Sequence, residues 1–239
     1  MAAYKLQLKD RKQVADSTAA FLFNKPADFT FRAGQFIELT ALNPNDTDAE
    51  GNTRAFSLAS APAEDFLMVA TRLRDTAFKR YAKTCAIGTE FQLEGPFGNL
   101  VLHRNSSRAG VLLAGGIGIT PFRGMAVDAA KQKLPHRLFL FYSNRRPADA
   151  PFLDELQALG KTNPNYTFVA TMTAKEAAAG WRGETGYIDS AMLRKHIGDL
   201  NGPIYYVAGP PGMVAAMQKM LGAAGVSEDD VRAEEFAGY

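Results

Sequence analysis

Across residues 1–105, apolar positions gather in short runs, several of them alternating with polar ones at a period of two. The runs are YKLQLKD, STAAFLFNK, QFIELTAL, RAFSLAS, DFLMVATRLR and TEFQLEGPFG. Turn signals separate them at Asn43-Pro44, Glu50-Gly51-Asn52, Ala61-Pro62 and Gly95-Pro96. Many short strands with regular punctuation predict a sandwich or a small antiparallel barrel. One stretch, TAFKRYAKTC, departs from this pattern and predicts a helix.

The pattern changes across HRNSSRAG, residues 103–110, which predicts a division into units 1–105 and 106–239. Beyond it, apolar runs of strand length alternate with segments of helical period. GVLLAG, RLFLFYSN, YTFVATMT and PIYYVAG read as strands. PFRGMAVDAAKQK, PFLDELQALG, SAMLRKHI and GMVAAMQKMLGAAG read as the helices between and after them. This alternation predicts a parallel sheet covered by helices on both faces.

In such a sheet, ligands bind beyond the carboxyl ends of the strands. Two glycine-bearing loops fall at such ends. AGGIGITPF follows Val111-Leu112-Leu113; its Gly115, Gly116 and Gly118 let backbone approach a ligand. The run fails the G-x-G-x-x-G spacing, because Pro121 stands where the last glycine belongs. Thr120 reads as a helix cap and Pro121 as a first-turn residue, leaving a helix N-terminus to face a pyrophosphate. AGPPGM, residues 208–213, follows PIYYV and precedes another helix. Either loop alone reads equally as a ligand-free turn; together they favour a nucleotide crevice. FYSNRRP places Ser143, Asn144, Arg145 and Arg146 where an acidic residue would bind a ribose 2′-hydroxyl. Its arginines suit a 2′-phosphate, and equally read as solvated loop residues.

In the first half, RAFSLAS puts Arg54 and Phe56 on one face of a strand and Ser57 on the other. RLRDTAFKRYAK adds Thr76, Ala77, Lys79 and Arg80 near Arg72 and Arg74. These form either a second anion site or a solvated basic helix face.

Charge and cysteine content narrow the chemistry. A net charge of +2 gives no global field for nucleic acid or anionic lipid. The single cysteine, Cys85, excludes a disulfide framework, a Cys-ligated zinc site and an iron–sulfur cluster held by these residues alone. His103, His136 and His196 are scattered and read as core or surface residues, with no metal site, and Trp181 reads as a loop anchor. No run approaches the ~18 apolar residues of a membrane span, and the first residues lack a signal-peptide core, so a cytoplasmic location is expected.

The motifs R-x-[YF]-S, G-G-x-G-x-x-P and a C-G-P-P-x-M type loop occur here in order as RAFS, GGIGITP and AGPPGM. The chain thereby resembles the ferredoxin–NADP reductase family of flavoproteins over nearly its whole length. That resemblance implies a six-stranded antiparallel barrel binding FAD, then an α/β domain binding NADPH or NADH. It implies that Arg54 meets the flavin pyrophosphate, Phe56 stacks on the isoalloxazine and Ser57 bonds near N5. Ala55, Thr71, Arg72, Leu73, Thr76, Ala77 and Phe78 complete the implied flavin site. Gly116, Gly118, Thr120, Pro121, Ser143, Arg145, Gly209, Pro210 and Met213 form the implied nicotinamide-nucleotide site. The ending AEEFAGY matches a family pattern in which Glu234 and Phe236 join Ser57 as catalytic residues and an aromatic, Phe236 or Tyr239, covers the flavin. The chain departs from the family at Ala208, which replaces the loop cysteine, and in ATMTAKE, which lacks an expected arginine. NADH and NADPH therefore both stay open.

The implied activity is hydride transfer from NAD(P)H to flavin N5, then electron transfer to a separate ferredoxin, flavodoxin, haem or oxygenase component. Arg72, Arg74, Lys79 and Arg80 are candidate docking residues for an acidic acceptor. The alternatives are a reductase of free flavin, ferric iron or quinone, and a non-catalytic flavin relay component of a larger complex.

Overall fold

In the computed structural model, which describes residues 3–174 and 180–236, two six-stranded sheets stand side by side. The first contains β1 (Ala3–Ala15), β2 (Thr18–Asn24), β3 (Phe36–Ala41), β4 (Thr53–Ser57), β5 (Phe66–Arg72) and β6 (Glu90–Phe97). Every pair is antiparallel, in the order β4-β3-β6-β1-β2-β5. Alternation decides which side faces inward: Leu6, Leu8, Phe21, Phe23, Ile37, Leu39, Phe91 and Leu93 share one core. Register shifts in β1 at Leu8/Asp10 and Gln13/Ala15 help the sheet to curl. The curled sheet closes toward a barrel just past β4, where the Ala59 amide donates to the Met68 carbonyl at 2.8 Å. Helix α1 (Ala77–Thr84) lies against this core through Phe78 and Ala82, with Thr76 as its N-cap.

The second sheet is parallel throughout: β7 (Gly110–Gly115), β8 (Leu138–Asn144), β9 (Tyr166–Met172), β10 (Glu184–Thr185), β11 (Ile204–Gly209) and β12 (Val231–Glu235). Its order is β10-β9-β8-β7-β11-β12. The chain leaves β7 to one side and returns to the other, so the switch point lies between β7 and β11. Strand residues alternate between two cores. Leu112, Leu140, Tyr142 and Tyr206 pack with α2 (Ile119–Lys131) and α3 (Leu153–Thr162). Val111, Leu113, Phe139, Phe141, Tyr205 and Val207 pack with α4 (Ser190–Ile197) and α5 (Pro211–Ala223). Near-continuous apolar strands follow from burial on both faces.

One sequence reading is corrected. Thr120 does not cap α2: Gly116–Gly118 form a 3-10 turn, Gly118 takes the cap position, and Thr120 lies inside the first turn. Its hydroxyl donates back to the Ile117 carbonyl at 3.1 Å. Val231–Glu235 pairs in parallel with β11 as the edge strand of the sheet.

Candidate functional site

A cleft of about 640 Å³ opens where the barrel meets the carboxyl ends of the parallel strands. Register builds its barrel wall. Pairing of β3 with β4 sets Phe36 opposite Ser57, and Arg54, Ala55, Phe56 and Ser57 all reach the cleft from β4. Neighbouring β5 contributes Ala70, Thr71 and Arg72; the turn into α1 contributes Arg74 and Thr76, and the helix Lys79. The opposite wall consists of Ile117, Thr120, Glu234, Glu235 and Phe236. Three predicted residues lie back from this lining: Ala77 and Phe78 are buried, and Leu73 packs against the barrel core. Phe78 supports the wall from behind, with its ring 5.7 Å from that of Phe56.

The cleft concentrates positive charge at one end. Burial, followed by the neighbouring Arg74, depresses the Lys79 ammonium below its ordinary value. Crowded cations of this kind favour an anionic ligand. Arg80 stays outside the cluster, paired with Asp75 and with Asp46. Arg54 is held by Asp48 and Glu50 at 3.0 Å each. Neither carboxylate stands out in the sequence, because only the folded β3–β4 loop brings them to Arg54. Phe36, Ala70, Ile117 and Glu235 carry no sequence signal either, since strand register and the approach of the two sheets place them.

The two glycine loops pack against each other at the switch point. A Cβ on Gly118 would lie 2.2 Å from the Ala208 carbonyl oxygen, and one on Gly115 2.1 Å from Met213 Sδ. Close approach of the loops therefore requires glycine at 118, where the neighbour is backbone, while at 115 the neighbour is the flexible Met213 side chain. Gly116 has a φ of +54°, and a Cβ there would lie 3.1 Å from Arg72 Nη2. Arg72 thus reaches from the barrel to the first glycine loop. It also borders a smaller cleft of about 270 Å³ with Arg145, Arg146, Asp149 and Ala174. Arg146 is engaged by Asp149 at 2.6 Å, whereas Arg72 and exposed Arg145 have no ion-pair partner among the described residues. Half-buried Ser143 precedes it at the end of β8. Pro121 is buried in the first turn of α2, and Pro210 caps α5.

Strand β12 delivers the C-terminal residues to the cleft. Glu234 pairs with Ala208 in register, and the Phe236 amide donates to the Gly209 carbonyl at 3.0 Å. Phe236 thereby bridges the second glycine loop and the barrel-side cluster of Ala59, Met68 and Ile117. Glu234 also borders an arginine-lined cleft with Arg32, Arg104 and Arg232. Burial raises its carboxyl from the ordinary range to about 7. Tyr239 lies outside the described residues.

The histidines stand apart from this site. His103 and His136 pack edge to face, with the His103 backbone amide bonded to the Tyr206 hydroxyl at 2.8 Å, while His196 meets Glu184 at 2.9 Å. No group of three His, Cys, Asp or Glu suited to a metal occurs among the described residues. Trp181 anchors its loop through Nε1 to the Glu184 carbonyl at 2.8 Å.

An aromatic wall, a basic end and glycine loops at a switch point fit a flat ring carrying phosphates and a second nucleotide beside it. Known proteins agree. The profile of the oxidoreductase NAD-binding domain family matches residues 112–219. The toluate 1,2-dioxygenase electron transfer component of Pseudomonas putida is 27% identical over 241 residues, covering 99% of this chain and 68% of that protein. The reductase component of phenol 2-monooxygenase from a Pseudomonas species is 28% identical over 209 residues, covering 86% of this chain and 58% of that protein. The chain thus spans 68% and 58% of these two relatives' lengths. A crystal structure of a ferredoxin NADP+ reductase from Neisseria gonorrhoeae with bound FAD and NADP superposes with a TM-score of 0.80 at 22% identity, covering 98% of both chains. In its barrel, its parallel sheet and the nucleotide loops between them, the chain is similar to ferredoxin–NADP reductase-like oxidoreductases, and its residues 112–219 match the oxidoreductase NAD-binding domain family.

Proposed function

We propose that the protein is an FAD-dependent NAD(P)H reductase supplying electrons to a separate acceptor protein, such as a ferredoxin, a flavodoxin or an oxygenase component. The observation that carries this reading is the cleft in which β4, the head of α1, the first glycine loop and Phe236 converge, with Phe236 bonded through its amide to Gly209 of the second loop. Bound flavin supplies the redox chemistry, taking a hydride from nicotinamide and releasing electrons one at a time.

The chain's own residues bind, orient and screen. Arg54, Arg72, Arg74, Lys79 and Thr76 would hold the flavin phosphates, while Ala55, Phe56 and Thr71 would line the ring's berth. Leu73, Ala77 and Phe78 would support that site from below, and the Ser57 hydroxyl would bond near the flavin's reacting edge. Gly116, Gly118, Thr120, Pro121, Gly209, Pro210 and Met213 would shape the berth for the nicotinamide nucleotide. Ser143 and Arg145 would receive the adenosine ribose of that nucleotide. Phe236, fixed at its amide by Gly209, would shield the reacting face from water until nicotinamide displaces its ring. Glu234, with its carboxyl near 7, can hold or release a proton beside the cleft at neutral pH. The arrangement suits a division near residue 105 between a flavin unit and a nicotinamide unit.

Arg145 favours NADPH as donor, because a guanidinium with no carboxylate partner among the described residues suits a 2′-phosphate. No described helix is long and apolar enough to cross a membrane, and we place the protein in the cytoplasm. The test is anaerobic mixing of flavin-loaded protein with NADPH and, separately, NADH while flavin absorbance is followed. Bleaching by at least one nucleotide is expected, faster with NADPH, and its reversal by an added acceptor protein identifies the acceptor. Bound flavin that neither nucleotide bleaches would overturn the reductase assignment.

A further inference from the structure

The anion cradle at the head of α1 is already satisfied from within the chain. Arg54 directs Nη2 to Asp48 Oδ1 and Nε to Glu50 Oε2, both at 3.0 Å. Its Nη1 donates to the carbonyls of Glu50, Gly51 and Thr53 at 3.0, 2.8 and 2.9 Å. The other oxygen of the same carboxylate, Asp48 Oδ2, accepts from the Ala77 amide at 2.8 Å. Ala77 is the first residue of α1, so Asp48 bridges a guanidinium and a helix N-terminus. Those are the two kinds of donor that a phosphate group takes. A phosphate carries more charge than a carboxylate and spreads it over more acceptor oxygens.

The loop holding Asp48 is tethered at a second point, where Arg80 meets Asp46 at 2.6 Å. Asp46, Asp48 and Glu50 lie within five successive residues of one loop. A phosphate entering beside Arg54 therefore meets both a direct competitor and the repulsion of the carboxylates around it. Arg72, Arg74 and Lys79 line the same cleft and supply the attraction that opposes this. The hydrogen bonds from Ala77 and Arg54 hold the Asp48 carboxyl below the ordinary carboxylate range, so it remains a charged competitor at neutral pH.

We propose that Asp48 is an internal competitor that sets flavin affinity: the flavin pyrophosphate reaches Arg54 and the head of α1 only by displacing the Asp48 carboxylate, and the β3–β4 loop moves aside with it. This inference rests on the flavin reading above. It predicts that neutralising Asp48 tightens binding, although the same change deletes an ion pair from the folded protein.

The experiment titrates the full chain, freed of bound flavin, with FAD, following quenching of flavin fluorescence and the melting temperature. Wild type is compared with Asp48→Asn, Asp48→Ala and Glu50→Gln. Asp48→Asn keeps the shape and loses the charge; it is expected to bind FAD about tenfold more tightly, equivalent to about 1.4 kcal/mol. It should also melt at a lower temperature before FAD is added and show a larger upward shift afterwards. Glu50→Gln should gain less, since the Glu50 side chain is 67% exposed. Unchanged or weaker FAD affinity in folded Asp48→Asn would sink the proposal and leave Asp48 as a support for Arg54. Failure of wild type and every variant to bind either FAD or FMN would instead remove the flavin reading beneath it. Should Asp48→Ala not fold, the isosteric asparagine variant decides the matter alone.

Discussion

Glu234 shows how one residue's surroundings set its chemistry. Its carboxyl sits between two clefts and is raised from 4.5 to about 7, with burial as the cause. In an unfolded chain the same group ionises at its ordinary value. Between about pH 4.5 and 7 the folded form therefore keeps a proton that the unfolded form has lost. The stability this contributes is complete below the unfolded value and declines as pH rises through the folded one. Glu234→Gln removes the titration. We expect the variant to gain on wild type as pH rises from 5 to 8, by on the order of 1–2 kcal/mol after discounting for partial solvent exposure. Melting curves across that range check it, and a constant difference between the two proteins would show that Glu234 titrates normally.

The elements whose patterns repeat were legible from sequence. Six barrel strands, the alternating strands and helices of the second half and both glycine loops all carry a local period or a local punctuation. Strand β12 carries neither: Val231, Arg232, Ala233, Glu234 and Glu235 are mostly polar, because an edge strand pairs on one side and stays partly in water. Its existence depends on β11, which no local signal reveals. The Asp48–Arg54 contact was illegible for a related reason, as it depends on how a loop folds back rather than on spacing. Glycine chemistry, by contrast, could be read and can now be measured. Gly118→Ala forces a methyl against the Ala208 backbone at 2.2 Å, where no side chain can yield. A loss of about 1–3 kcal/mol is expected, with slower flavin reduction by NADPH, because the two glycine loops must part. Gly222, inside α5, has nothing within 4 Å of the place a methyl would take, and Gly222→Ala is expected to stabilise by about 0.5–1 kcal/mol without changing reduction. Thermal melts and stopped-flow reduction of the two variants separate a packing effect from a generic helix effect. Equal behaviour of both would show that the Gly118–Ala208 approach is not a constraint.

At the scale of the molecule, the site exists only because the barrel and the parallel sheet keep one relative position, and Arg123 is the main polar fastening of that seam. It projects from α2, is 6% exposed at its side chain, and donates through Nη1 to the Ala59 carbonyl and through Nη2 to Glu64, both at 3.0 Å. Ala59 and Glu64 belong to the segment between β4 and β5, while Glu155 on α3 closes the other side of the guanidinium. Glu64 is 8% exposed, so losing Arg123 strands a carboxylate whose remaining bond is to the Ala61 amide at 2.7 Å. Removing one partner of a buried pair costs about 3–5 kcal/mol, whereas removing both charges costs far less. Arg123→Met should therefore destabilise by that amount, and Arg123→Met with Glu64→Gln should recover much of it. The functional expectation differs between the units. Flavin binding should survive in both variants, because the proposed flavin-phosphate ligands lie on β4, β5 and near α1. Reduction by NADPH should slow wherever the seam loosens, because hydride transfer needs two rings held in contact across it. Denaturant unfolding, flavin titration and single-turnover reduction of the single and double variants test this together. Equal stability losses in the two variants would show that the arginine acts by filling space, and slowed flavin binding would show that the seam shapes the flavin cleft itself.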